Sequence, residues 1–202
     1  MLNHLMIDIE TLSTRPNGVI VSIGAVFFNL EDGRYSSHHF NEQICPALSQ
    51  QDGFVTDQST LDWWQKQSQQ AKDLSLMGES KPQEVLVHFD DWIRNHAPCE
   101  MSDLTVWANS PSFDLVMLKH HFERYNMTPP WRYFNERDVR SYSQVLSDPK
   151  LHANNQYAAG IKHTALDDCI SQLLKVCRVR WAIKNLEKDA EQLTHLLAQD
   201  NP

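Results

Sequence analysis

Residues 5–40 carry the apolar patterns of β-strands. A strand is predicted at residues 5–9, and a run of Val, Ile and Phe predicts a second strand at residues 19–28. A turn at residues 15–18 separates them, and a turn at residues 31–33 leads to a third strand near residues 35–40. Together these segments predict an antiparallel meander.

Helical and β patterns alternate in the rest of the chain. Ser110 and Pro111 have the residue types of an N-cap and a first helical turn. A meander followed by alternating strands and helices predicts an α/β fold with a mixed central sheet flanked by helices. The predicted elements are helices at residues 60–68, 82–95, 110–125, 139–146 and 165–184, a last amphipathic helix through residue 198, strands at 104–108 and 133–138, and a polar loop at 147–162.

The size and composition fit one globular domain. With 202 residues, 41% of them hydrophobic, the chain can bury one sizeable core. We therefore expect a single domain over residues 1–202. Within it, the segment at about residues 184–199 either packs on the core or forms a homodimer contact.

The sequence also bears on where the protein works. The longest apolar stretch, residues 19–28, is too short to cross a bilayer as a helix, so no membrane partner is expected. The first residues lack the basic and apolar regions of a secretory signal, which predicts a cytoplasmic protein. The four cysteines show no CxxC spacing and are expected to be reduced.

The net charge of −8 argues against a protein that grips a long duplex by bulk electrostatics. It leaves other nucleic acids open, because divalent cations held by carboxylates supply positive charge where a phosphate binds.

Asp8 and Glu10 lie two residues apart in an otherwise apolar strand, so both carboxylates point to one face. Two acids side by side are unfavourable unless a proton or a cation intervenes, and hard oxygen ligands suit Mg²⁺ or Mn²⁺. The alternative is a half-exposed strand with acids on its solvated face.

Two later segments carry further candidates. Asp114 falls in the first turn of a predicted helix, where the helix dipole alone also favours an acid. His163 precedes the next long helix, whose Thr164 and Asp167 resemble a capping box. Asp168 projects opposite the apolar stripe of that helix, as either a functional or a solvated acid.

Taken together, these segments resemble the DEDD superfamily of 3′-to-5′ exonucleases, and specifically its DEDDh branch. The first motif is Asp-Ile-Glu-Thr at residues 8–11, the second centres on Asp114, and the third pairs His163 with Asp168. Within that branch, residues 8–17 and 22–26 are similar to the phage DexA-type group, which includes bacterial exoribonucleases. The resemblance covers roughly residues 6–172.

The resemblance implies a ribonuclease H-like fold and a site for two divalent cations, Mg²⁺ or Mn²⁺. Asp8 would bridge both ions, Glu10 and Asp168 would complete one site, and Asp114 would hold the second ion. His163 would be the general base, and the substrate would be the 3′ end of single-stranded DNA or RNA. Thr11 and Leu12 match the positions that hold the terminal sugar and base; otherwise they are strand end and core.

Some features and functions stay open at the level of sequence. Trp63 and Trp64 either pack a helix or stack a base, and Arg137 and Arg140 either touch phosphate or pair with nearby acids. A preference between DNA and RNA leaves no motif. Two rival functions are a non-catalytic nucleic-acid-binding module and a phosphodiesterase of very short oligonucleotides.

Overall fold

A five-stranded sheet, in the order β3-β2-β1-β4-β5, forms the centre of the protein. The computed structural model describes residues 2–146 and 160–199, with side chains through residue 192. Most of the loop predicted at residues 147–162 therefore lies outside the described residues, because residues 147–159 are not among them. The strands are β1 (His4–Thr11), β2 (Ile20–Phe28), β3 (Phe40–Gln43), β4 (Thr105–Ala108) and β5 (Glu136–Asp138).

The sheet is mixed, as predicted. β1 and β2 form an antiparallel pair and β2 continues antiparallel to β3, whereas β4 and β5 run parallel to β1. The carboxyl ends of β1, β4 and β5 therefore meet at one edge of the sheet. The register of β1 against β2 is regular from His4 to Glu10 and shifts between Glu10 and Thr11. This shift lies next to the acids of β1.

Helices cover both faces of the sheet and bury its apolar side chains. One core cluster joins β1, β2 and β4 to α4 and α5, and a second joins Met6 and Val26 to α7. In α4, Val85, Leu86, Phe89 and Ile93 recur at helical spacing and are fully buried, which explains why this helix was predictable. The helices are α1 (Pro46–Gln51), α2 (Gln58–Gln65), α3 (Gln69–Ser75), α4 (Pro82–His96), α5 (Asp114–Arg124), α6 (Val139–Ser143) and α7 (Ala165–Gln199).

The third strand was predicted at the wrong place. Of the predicted residues 35–40, only Phe40 belongs to β3, and Tyr35 forms just an isolated bridge with Phe28. The predicted turn is present, because the Asn29 and Gly33 amides donate to the carbonyl oxygens of Arg34 and Asn29. Residues 37–39 after it are polar and exposed, so they do not pack on the sheet as a strand would.

The helix predicted at residues 60–68 is α2, which ends at Gln65, and α3, which follows it, was not predicted. Ser68 ends the first pattern, because its hydroxyl accepts from the Ala71 amide at 3.1 Å and begins α3. The predicted strand at 133–138 is divided in a similar way. A 3₁₀ turn occupies Tyr133–Asn135, and only the remaining three residues form β5.

Ser110 and Pro111 do not begin a helix, and this prediction was also wrong. The Ser110 amide donates to the Asp114 carboxylate at 3.3 Å, and the Ser110 and Ser112 hydroxyls lie 3.2 Å apart. Residues 111–113 form a turn, and α5 begins at Asp114. The acid thus opens the helix, one turn later than the sequence pattern indicated.

The C-terminal helices predicted at 165–184 and through 198 are one continuous helix, α7. Its first half packs on the sheet, whereas Trp181 and Leu186 are exposed, so packing on the core is not seen at Leu186. The dimer contact stays a prediction, and the side chains of residues 193–199 lie outside the described ones. Within the described ranges, no helix is both long and apolar enough to cross a membrane.

Candidate active site

The acids predicted from three separate segments converge at the carboxyl edge of the parallel strands. Asp8 and Glu10 come from one face of β1, Asp114 is the first residue of α5, and Asp168 lies in the first turn of α7. They line one cavity of about 390 Å³ together with His163. The other residues of its wall are Ile9, Asn109, Ser110, Phe113 and Arg140.

Gly24 lets α7 reach the acids of β1. Gly24 is the partner of Asp8 in the β1–β2 register. A Cβ atom at Gly24 would lie 2.4 Å from the carbonyl carbon of Ala165, which is closer than such atoms can pack. The glycine therefore allows the start of α7 to rest on the sheet, and this contact positions Asp168 beside the acids of β1.

These carboxyl groups are buried, which disfavours their charged forms. Burial raises the pKa of Glu10 to about 8, with further contributions from the charges of Asp168 and Asp114. Burial also raises the pKa of Asp114 to about 7, although the Ser110 amide and the Arg140 charge oppose the rise. The pKa of Asp8 lies well above its usual range, because of burial first and then its acidic neighbours. Such a cluster favours either protons or cations.

Hydrogen bonds fix two of the carboxylates. The Gln172 side-chain amide donates to Asp8 Oδ1 at 2.7 Å, and the His163 backbone amide donates to Asp168 Oδ2 at 3.1 Å. Gln172 was missed in the sequence. Its signal was helical spacing, since Gln172 lies four residues after Asp168 and so shares its side of α7.

His163 lies at the edge of the acid cluster in an uncommon backbone conformation. Its φ is 65°, and its carbonyl oxygen accepts from the Ser75 hydroxyl at 2.9 Å. The edge-on ring of Trp63 packs against the imidazole, with 4.7 Å between ring centroids. A ring nitrogen of His163 and carboxylate oxygens of Glu10 and Asp168 lie within 4.8 Å of one another. The imidazole can therefore act on a molecule held by these acids.

Asp167 and Asp168 have different surroundings, as the sequence suggested. The Asp167 carboxylate accepts from the Ile161 amide at 2.8 Å and the Thr164 hydroxyl at 3.0 Å. It therefore holds the chain that enters α7. Asp168 instead lines the cavity.

Thr11 and Leu12 follow the register shift and are buried. The Thr11 carbonyl oxygen accepts from the indole of Trp64 at 2.8 Å, and Trp64 itself is buried. Trp63, the neighbouring tryptophan of α2, is in contrast 39% exposed. Leu12 lines a second cavity of about 430 Å³, next to the acids. The remaining lining residues are Pro46, Gln58, Leu61, Trp64, Gln65, Lys72 and Leu76.

Arg137 and Arg140 have different environments. The Arg137 guanidinium donates to the carbonyl oxygens of Phe134 and Glu136, at 3.0 and 2.8 Å, rather than to an acidic side chain. The Asp138 carboxylate caps α6 by accepting from the Arg140 and Ser141 amides. The Arg140 side chain lines the acidic cavity.

The carboxylates suit a hard divalent cation. Asp8, Glu10, Asp114 and Asp168 supply only oxygen donors, and ligands of this kind hold Mg²⁺ or Mn²⁺. Burial and the charges of neighbouring acids raise the pKa values of Asp8 and Glu10, so a bound cation would stabilise their ionised forms. The donor set therefore fits the metals that the sequence implied.

The sequence of the chain matches a family model described as the 3′-5′ exoribonuclease Rv2179c-like domain, over residues 3–181. No curated protein matches the sequence.

Several solved nucleases have the same fold. The nuclease domain of 3′hExo, a DEDDh family member bound to rAMP, is 15% identical, with a TM-score of 0.57 over 90% of this chain and 92% of that domain. S. pombe Pop2p, bound to Mg²⁺ and Mn²⁺, is 10% identical, with a TM-score of 0.59 over 89% and 83% of the two chains.

E. coli exonuclease I in complex with single-stranded DNA, in its zinc-bound form, is 13% identical. Its TM-score is 0.62, and the match covers 88% of this chain but only 40% of that protein. This chain therefore spans less than half the length of exonuclease I. These likenesses confirm the predicted ribonuclease H-like fold of DEDD exonucleases, whereas the DexA-type subgroup stays a prediction.

Proposed function

We propose that this chain removes nucleotides from the 3′ end of single-stranded nucleic acid. The chain belongs to the family of Rv2179c-like 3′-5′ exoribonuclease domains. Membership in this family supports a nuclease of the 3′-5′ exonuclease class. The observation that carries the finer proposal is the convergence of four acids and a histidine, from β1, α5 and the start of α7, in one cavity.

The acids would hold two divalent cations, Mg²⁺ or Mn²⁺. Asp8 lines the same cavity as Glu10, Asp114 and Asp168 and would be the ligand shared by the two ions. Glu10 and Asp168 would complete one site, and Asp114 would hold the other ion. Bound metals would acidify a water and stabilise the leaving 3′ oxygen. The likeness to Pop2p, which carries Mg²⁺ and Mn²⁺, supports this choice of ions.

His163 would take the proton from the attacking water. Its ring nitrogen is within 4.8 Å of the Glu10 and Asp168 oxygens, next to where such a water would be held. The Ser75 hydroxyl donates to the backbone carbonyl oxygen of His163, and the Trp63 ring packs against its imidazole. Both contacts hold the histidine in place without a hydrogen bond to its ring nitrogens. The geometry thus supports a positioned base rather than a structural histidine.

Thr11 and Leu12 would hold the terminal nucleoside. Both follow Glu10 directly, and Leu12 opens onto the second cavity, which is mostly lined by apolar side chains. A cavity of about 430 Å³ with apolar walls and a few polar groups is of the kind that accepts a small planar ligand. The scissile phosphate would then lie over the acids.

The substrate would be a single-stranded 3′ end, and the family description favours RNA. Exonuclease I, which has the same fold, is known in complex with single-stranded DNA, so DNA ends are tested alongside. We expect 5′-labelled RNA and DNA oligonucleotides with Mn²⁺ or Mg²⁺ to be shortened stepwise from the 3′ end. Chelation of the metal should stop the reaction.

A length series separates this proposal from its rivals. Cleavage confined to dinucleotides would indicate a phosphodiesterase of very short products. Binding of single strands without any cleavage would indicate a non-catalytic module, and labelled products from internal cuts would contradict exonucleolytic action.

A further inference from the structure

Arg140 is a cation in the wall of the acidic cavity. Arg140 is the second residue of α6, and its charge opposes the rise in the pKa of Asp114. Its backbone amide is bound to the Asp138 carboxylate, whereas its guanidinium forms no hydrogen bond or ion pair with a residue in the described part of the chain. The group is exposed and therefore available to a ligand.

A cation at this position is unfavourable for binding metals alone. The charges of Asp8, Glu10, Asp114 and Asp168, when ionised, are balanced by two divalent cations. Arg140 then adds a charge that repels the metals, unless an anion lies between them. The acids and the metals already neutralise each other, so neither balances the charge of Arg140. The phosphate next to the scissile one can be the anion that does. Guanidinium groups bind phosphate oxygens in a paired geometry.

The strand order gives the direction in which this phosphate lies. The cavity of Leu12 is lined by α1, α2 and α3, on the β3 side of β1, whereas α6 follows β5 at the opposite edge. The acids lie between the two. A strand whose 3′-terminal nucleoside occupies the Leu12 cavity therefore crosses the acids and leaves toward Arg140.

Lys175 adds to the positive charge on this side. The charge of Arg140, together with burial, lowers the pKa of the Lys175 ammonium group, so the two cations are near each other. Arg137, only three residues before Arg140, is engaged with backbone carbonyl oxygens and offers a matched control.

We infer that Arg140 binds the phosphate immediately 5′ of the scissile phosphate, which makes it a substrate-positioning residue for chains of three or more nucleotides. This inference rests on the proposed exonuclease function. It predicts that Arg140 is needed only when the substrate has a second phosphodiester.

The test compares a dinucleoside monophosphate, which has only the scissile phosphate, with a trinucleoside diphosphate. Arg140→Ala should lower kcat/KM for the trinucleotide roughly 10- to 100-fold, the range of charge-assisted hydrogen bonds, mostly through KM. It should leave cleavage of the dinucleotide within about twofold, a change too small for a lost hydrogen bond. Arg137→Ala should change neither, and Arg140→Lys should restore part of the loss.

A trinucleotide whose upstream linkage is an uncharged methylphosphonate completes the cycle. The parent should lose activity on this substrate, and Arg140→Ala should cause no further loss, because the charge that the arginine binds is already gone. Effects that multiply independently would overturn the inference, as would an equal loss on the dinucleotide or no loss on the trinucleotide.

The proposed function is judged separately by the parent. If the parent cleaves neither substrate, the exonuclease proposal fails, and the same cycle is then measured as equilibrium binding of the 5′-labelled trinucleotides in Mn²⁺. An unchanged melting temperature of Arg140→Ala shows that the fold is intact. Binding that is equally strong with and without the guanidinium would overturn the inference in that case too.

Discussion

Two neighbouring cavities at the end of β1 have similar volumes and opposite chemistry. One, of about 390 Å³, collects acids that burial disfavours, and the other, of about 430 Å³, is lined mostly by apolar side chains that burial favours. Glu10 belongs to the first and Leu12 to the second. In a regular strand, residues two apart face the same side, so the register shift after Glu10 directs the chain from one cavity to the other.

The two cavities at the end of β1 therefore have different proposed roles. The acidic cavity stores unfavourable electrostatic energy that a cation would relieve, which suits the proposed chemistry. The second cavity holds no such cluster of acids, which suits the proposed binding of a nucleoside. Variants in the first should change turnover, and variants in the second should change affinity.

The largest effect is expected for Asp8→Asn. The change keeps the shape of the side chain but removes the charge that would be shared by both ions. A metal ion in such a site is worth several kcal/mol to the transition state, so kcat should fall on the order of 10³-fold or more. Steady-state cleavage of a labelled single strand measures this loss.

Asp32→Asn is the matched control for this variant, because Asp32 is an exposed acid that pairs with Arg34 away from the cavity. If purified Asp8→Asn has near-normal turnover, Asp8 is not part of the catalytic site. The proposed contrast between the two cavities then fails.

A smaller loss is expected for His163→Ala. Removal of a positioned general base should lower kcat by roughly 10²- to 10⁴-fold while metal binding persists. His39→Ala, at an exposed histidine, should leave the rate unchanged. Loss of the metal-induced rise in Tm in His163→Ala would instead make the imidazole a metal ligand, since its nitrogen lies near the Glu10 and Asp168 oxygens.

Leu12→Ala should act on the other side of the comparison. Loss of apolar contact with the terminal base should raise KM by roughly 10-fold or more, as expected for about 1–3 kcal/mol of pocket contact, with little change in kcat. Leu74→Ala, at an exposed leucine of α3, is the control. A fall in kcat at constant KM would instead give Leu12 a role in catalysis. The two cavities would then not have separate roles.

The smallest effect is expected on stability. Because the folded-state pKa values of Glu10 and Asp114 are raised, the folded protein binds more protons than the unfolded chain between about pH 4 and about pH 8. The metal-free site therefore loses stability as the pH rises toward about 8, where Glu10 ionises. Mn²⁺ or Mg²⁺ should restore about 2.7 kcal/mol at 100 times its Kd, or roughly 5–10 °C in Tm.

Melting curves with Mn²⁺ and with NaCl of equal ionic strength measure this effect. Asp8→Ala should lose the metal response, and its metal-free form should be as stable as the parent or more so at pH 8, because one repelling charge is gone. An equal shift in parent and variant would place the cation outside the acidic cavity.

Local patterns in the sequence predicted a large part of the fold. The buried runs of β1 and β2 and the helical spacing of α4 each determine an element without help from distant residues. The placement of Asp8 and Glu10 on one face needed only the period of a strand. β4 was predictable for the same reason, since it is short and apolar from Val106 to Ala108.

The errors arose where side chains compete for backbone hydrogen bonds. Asp114 takes the Ser110 amide and begins α5 itself, and Ser68 divides α2 from α3. The contacts of the site that were missed join elements that are distant in the sequence, as the hydrogen bond from Gln172 of α7 to Asp8 of β1 does. Such pairs depend on tertiary packing, which periodicity does not report.

The close approach of Gly24 to Ala165 has a consequence for biosynthesis. The β1–β2 hairpin can form early, with Asp8 and Glu10 already in place, because its residues are close in the chain. Asp168 arrives only when α7 docks on the glycine, a contact between distant parts of the sequence. A nascent or truncated chain that ends before α7 therefore has the first motif but lacks Asp168, and its candidate site is incomplete.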